Sequence, residues 1–124
     1  MKSNIILYTI MIAAMLGFSG CGGNRELKKD AKDFADAMCR NIETMQKLRA
    51  ANPADTLLIL KIQAEQRMVD SEMMVLSMDF KKKYGEKTKS PEFTREYRKY
   101  LNKSMLDCKY LTREDRENFE KEVN

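Results

Sequence analysis

"NPAD", residues 52–55, stands between two long amphipathic stretches and decides how the chain turns. Asn52 fits a helix cap, and Pro53 fits a first helical position, where its missing N–H removes no hydrogen bond. Asp55 falls in the first turn, where a carboxylate meets the positive end of the helix. Upstream, Leu27, Ala31, Phe34, Met38, Ile42, Met45 and Leu48 recur every three or four residues, which predicts a helix from about Glu26 to Ala51. Lys28, Lys29, Asp33, Arg40, Glu43 and Lys47 fall largely outside that stripe. Downstream, Leu58, Ile62, Val69, Met73, Leu76 and Phe80 form a second stripe, widened by Leu57, Leu60, Ala64, Met68 and Val75. This second helix runs to about Tyr84, with Gly85 as its terminator. As the most apolar helix, it is expected at the centre of the fold.

"KSPEF", residues 89–93, repeats the start signal: Ser90 caps, Pro91 opens and Glu92 complements the helix end. The third helix carries Phe93, Tyr97, Leu101, Ser104, Cys108 and Leu111. Beyond it, either Thr112 and Asp115 cap a short fourth helix with Phe119 and Val123 as its apolar contacts, or the third helix runs on. No strand-like alternation, internal repeat or low-complexity segment occurs. Short connections make successive helices antiparallel. The expected fold is therefore all-α, a small antiparallel three-helix bundle over residues 26–124 with a short fourth helix as an option.

The chain holds 23 Lys and Arg against 19 Asp and Glu in 124 residues, and no histidine. A balance this mild and evenly mixed argues against nucleic acid as a partner. Nucleophile-elbow, phosphate-loop, zinc-protease and SxxK patterns are absent, and without histidine the commonest general base is missing. Asp70, Glu72 and Asp79 read as solvated surface charge. The expectation is a protein that is not an enzyme and takes no cofactor.

The first residues, "MKSNIILYTIMIAAMLGFSG", have a basic start at Lys2, an apolar run from Ile5 to Phe18 and small residues at Ser19 and Gly20. That is the pattern of a cleaved secretory leader, and the run falls short of the ~20 apolar residues a membrane span needs. With the following cysteine, "FSGC" resembles the lipobox of bacterial lipoproteins, with Phe18 where leucine is usual. The resemblance covers about the first two dozen residues. It implies cleavage after Gly20, a lipidated Cys21 as the new terminus, and residues 21–25 as a short linker. A diacylglycerol thioether with an acylated amine anchors stably where one acyl chain would not. The alternative is an ordinary leader with an unmodified cysteine. In lipoprotein sorting, Gly22 after the cysteine favours the outer membrane, facing the periplasm, with the cell surface as the other option.

Setting Cys21 aside leaves Cys39 and Cys108, a pair suited to a disulfide in an oxidising compartment. Metal binding competes poorly, since there is no histidine and no CxxC. Helical rise places Cys39 and Cys108 about 18 and 20 Å below the same end of the bundle, heights that permit a bridge. The same topology sets the start of the first helix beside the connection "KKKYGEKTK". Lys81, Lys82, Lys83, Lys87 and Lys89 there either meet anionic headgroups or complement the helix dipole in water.

Ten methionines are the one unusual enrichment. Thioethers fill irregular cores, make adaptable partner faces or bind Cu(I). Met74 and Met78, one turn apart and off the main stripe, are the residues whose exposure discriminates. Tyr97, Tyr100 and Tyr110 pose a similar choice between core rim and interface. The expected role is a tethered binding or structural module of the bacterial envelope with a protein partner. An inhibitor or immunity protein for a toxin or lytic enzyme, and a small-ligand or Cu(I) carrier, are the alternatives.

Overall fold

The computed structural model describes residues 2–124, with side chains from Asn24 onward. Four helices follow in order: α1 (Lys2–Ala50), α2 (Thr56–Tyr84), α3 (Pro91–Met105) and α4 (Arg113–Val123), with a 3₁₀ turn at Gly85–Lys89 joining α2 to α3. Among the described residues there is no strand, so the fold is an all-α helical bundle.

The "NPAD" turn works differently from its sequence reading. Asn52 accepts from the Ala54 N–H through its side chain and from the Asp55 N–H through its carbonyl, so residues 52–55 form a β-turn with Pro53 at its second position. Asp55, not Asn52, caps α2 by accepting from the Leu58 N–H at 3.1 Å. The cap shifts by three residues because the turn occupies both acceptors of Asn52, its side-chain oxygen and its carbonyl. Ser90 and Thr112 cap α3 and α4 by accepting from the N–H groups of Phe93 and Asp115. Gly85 ends α2 with φ of +44°, a conformation that favours glycine, and its N–H returns to the Lys81 carbonyl.

The centre of the bundle is α1, which packs against both α2 and α3, while α4 packs on α3. The expectation that α2 is central is overturned. Two faces of α1 are in use, and small residues line them: Ala31, Ala35 and Ala37 are almost fully buried, letting neighbouring backbones approach closely. The α3 side is built on Ala35, Met105 and Cys108, with Met38, Ile42, Leu101 and Phe119 packed around them. Towards α2, Arg40 pairs with Glu72 at 2.6 Å and Asn41 donates to Asp70 at 2.8 Å. Helices α2 and α3 meet through aromatic rings, Phe80 against Phe93 and Tyr97, and Tyr84 against Phe93.

Helix α3 ends at Met105, so Cys108 and Leu111 lie in the α3–α4 loop rather than on α3 as expected. Arg116 on α4 explains the stop. Its guanidinium donates to the carbonyls of Leu106 at 2.6 Å and Cys108 at 3.1 Å, giving the freed helix-end carbonyls a charged partner. Buried Asn102 donates to Glu122, tying α3 to α4 a second time. Cys39 and Cys108 are bonded, with S–S 2.04 Å and Cα atoms 5.7 Å apart, which links the middle of α1 to this loop.

Candidate functional site

Three regions carry chemistry that packing alone does not use: the outer face of α2, the charged end where α2 meets the start of α1, and a groove beside it.

Helix α2 is apolar on two faces. Ile62 and Val69 point inward and are buried. Leu57, Leu60, Met68, Met74, Val75 and Met78 point outward, each between 52% and 81% exposed. With exposed Ala64 and Ser71 between them, positions 57, 60, 64, 68, 71, 75 and 78 recur every three or four residues, so the outward apolar residues lie along one stripe about 32 Å long from Leu57 to Met78, with Met74 at its edge. Multiplied by a helix width of about 10 Å, the patch is about 300 Å², at the lower end of the ~300–600 Å² of the largest apolar patch on a monomer, which is often functional. Met74 and Met78 belong to this exposed face, which excludes the core reading for these two. Exposure alone suits both a docking face and a soft metal. The stripe, however, continues through Leu57, Leu60 and Val75, which cannot ligate, and that extension favours docking. Leu57, Leu60, Ala64, Met68 and Val75, read from sequence as widening the buried stripe, are therefore corrected to surface positions. Their spacing carried the signal: α2 has too many apolar positions for one buried face.

At the other end of α2, Lys83 lies 2.8 Å from Asp30 Oδ2 and 3.5 Å from Glu26. The Tyr84 hydroxyl donates to the same Asp30 oxygen at 2.7 Å. The hydrogen bond to Asp30 holds the Lys83 ammonium above its ordinary lysine value. Burial, then the bond to Asp30, pushes the Tyr84 phenol up to about 12. Burial also pushes Tyr97 up to about 12, with the Asp30 charge adding to it. Asp30 was not singled out from sequence. The signal was the acidic pair Glu26 and Asp30, one turn apart, at the helix end that topology sets beside "KKK".

The five lysines of that connection divide. Lys83 directs its charge into the fold, and Lys89 pairs with Glu86 at 2.7 Å. Lys81, Lys82 and Lys87 are exposed and form no ion pair among the described residues. The three tyrosines singled out on and after α3 are all half-buried, with Tyr100 donating to Glu96 and lying under the Lys28 ammonium.

A groove of about 440 Å³ opens between α1 and α2. Phe34, Leu76, Phe80 and Tyr97 supply apolar walls, and Asp30, Asp79 and Lys83 stand among its lining residues. Among the described residues no cluster of three or more carboxylate, cysteine or histidine side chains could hold a metal ion, and no helix is long and apolar enough to cross a membrane. The side chain of Cys21, and the leader before it, lie outside the residues whose side chains are described. Comparison with protein-family models, curated proteins and solved structures gives no match.

Proposed function

We propose that this chain is a bacterial envelope lipoprotein, anchored through lipid on Cys21, whose helical bundle is a binding module presenting the outer face of α2 to a partner. The observation that carries the binding role is the exposed stripe from Leu57 to Met78. Water penalises each such side chain by about 1–2 kcal/mol relative to burial, a cost that a docking face recovers when occupied. The anchor reading is supported by the "FSGC" pattern and by the count of cysteines, since Cys39 and Cys108 bond to each other and leave Cys21 over. Gly22 supports an outer-membrane destination with the bundle facing the periplasm.

Mass spectrometry of the purified full chain tests the anchor. The expected mature terminus is an acylated Cys21. An intact leader, or a mature terminus with an unmodified thiol, refutes it. A photo-reactive residue at Val75, activated in living cells, tests the face. Covalent products with protein are expected, and their complete absence refutes the binding role of α2.

The groove beside Asp30 favours a second reading, a small-ligand carrier. Its volume falls within the range of small-molecule sites, and apolar walls with a few charges fit an amphipathic ligand. A ligand-dependent shift in tyrosine fluorescence that is lost in Tyr97→Phe, or in melting temperature, supports that reading, and a flat response across an amphiphile panel opposes it.

A further inference from the structure

We infer that Lys81, Lys82 and Lys87 form a contact surface for the anionic headgroups of the membrane that holds the chain, so that the bundle stands on its basic end. This rests on the lipid anchor at Cys21. Contacts between helices define that end. Lys83 of α2 meets Asp30 at 2.8 Å and Glu26 at 3.5 Å, both on α1, and Tyr84 donates to the same Asp30. Cys21 precedes Glu26 by five residues along α1, about 8 Å of helical rise. Helix α2 runs the opposite way and ends here, with the Gly85–Lys89 turn beyond it. An acylated Cys21 therefore brings headgroups within about one screening length of this end, ~8–10 Å at physiological salt, and long lysine stems shorten the gap further.

Charge is concentrated at the same end. Beyond Cys21 the chain carries 22 basic and 19 acidic residues. Residues 24–30 and 81–92 hold eight of the basic and four of the acidic ones, which leaves 14 against 15 for everything else. The whole positive surplus thus sits nearest the anchor, and the remainder of the bundle is close to neutral. Part of that charge is used inside the fold: Lys83 is held by Asp30, and Lys89 by Glu86 at 2.7 Å. Lys81, Lys82 and Lys87 are exposed, and among the described residues they pair with no carboxylate and donate to no carbonyl. The end of α2 does not call on them either, because the Gly85 N–H, not an ammonium, closes the Lys81 carbonyl. At a charged surface each lysine contributes about a fivefold bias toward contact, so the three together favour the standing orientation roughly a hundredfold over free tumbling on the tether.

The test uses the full chain as purified from bacterial membranes, reconstituted on vesicles of phosphatidylcholine alone or of phosphatidylcholine and phosphatidylglycerol in equal parts. Flotation reports the anchor, and the protein is expected to float with both. An amine-reactive reagent, read by peptide mass spectrometry, then reports each lysine. On the mixed vesicles Lys81, Lys82 and Lys87 are expected to label about fivefold more slowly than on neutral ones, and salt at about 1 M, where the screening length falls to ~3 Å, removes the difference. Lys61, about 33 Å along α2 from Lys83, labels equally on both and serves as the reference. Lys82→Glu with Lys87→Glu returns Lys81 to its rate on neutral vesicles; both positions are exposed, and an unchanged circular dichroism spectrum confirms the fold. Equal labelling of the three lysines on the two vesicle types, with flotation on both, overturns the contact and leaves the anchor standing. Flotation with the anionic vesicles alone overturns the anchor and supports the lysine contact, whereas flotation with neither overturns both.

Discussion

Reducing the Cys39–Cys108 bond removes the largest single contribution to stability that the structure makes visible. The bridge spans 69 residues of sequence. In the chain-entropy description, a loop of that length restricts the unfolded chain by about 4 kcal/mol at 25 °C. Domains of this size have total stabilities of about 5–15 kcal/mol, so the reduced protein stands near the threshold of unfolding. For about 100 structured residues, the corresponding fall in melting temperature is on the order of 20 °C. The assay is urea unfolding followed by circular dichroism, with and without a phosphine reductant. Reduction leaves the same atoms in place, so it opens no cavity, unlike replacing both cysteines by alanine. The midpoint is expected to drop and the denaturant slope to rise, because the reduced unfolded chain exposes more surface. A loss below about 1 kcal/mol would refute the reasoning, since it would mean the unfolded chain is already held compact without the bridge.

Further outcomes follow from individual contacts. Met105→Ala empties the most completely buried large side chain of the core and is expected to cost about 2–5 kcal/mol in the same unfolding assay. Arg116→Met withdraws both donors from the Leu106 and Cys108 carbonyls; a loss of about 2 kcal/mol and faster amide exchange in residues 106–123 are expected. The phenols of Tyr84 and Tyr97 are both raised to about 12 in the folded state. Free phenols titrate near 10, so the stability these two contribute is complete below about pH 10 and is lost as pH rises through about 12. Tyrosinate absorbance at 295 nm should therefore show a late component that coincides with loss of helix, and Asp30→Asn should move part of it to lower pH. Asp55→Ala should cost about 1 kcal/mol while Asn52→Ala costs less, which separates the observed cap from the one that sequence suggests.

The order of the first three helices was legible because Pro53, Gly85 and Ser90 act locally, through caps and fixed dihedrals that need no tertiary partner; whether residues 113–123 form a separate helix stayed open in the sequence, and the structure shows that they do. The disulfide was legible because only two cysteines remained once Cys21 was assigned. What escaped was the order of packing. Periodicity reports that Leu57, Leu60 and Val75 share a helix face, but not whether that face meets protein or water. The small residues that place α1 at the centre, Ala35 and Ala37, carry little hydropathy and so left little trace. Arg116 and Asn102 act across the α3–α4 corner, a relation that no local pattern encodes. Lysines near the end of α2 could be grouped from sequence, yet only the fold separates Lys83, held by Asp30, from Lys81, Lys82 and Lys87.

The link from mid-α1 to the α3–α4 loop also sets how the molecule would respond to mechanical load. Tension entering at the front of α1 and leaving at Asn124 travels along the helix to Cys39, crosses one covalent bond and continues from Cys108. Everything between those two residues is out of the force path. About 230–250 Å of contour length is thereby locked away, taking 3.3–3.6 Å for each of the 69 residue steps. All of α2, with its outward stripe, lies inside that shielded stretch and would keep its covalent frame while the ends are pulled straight.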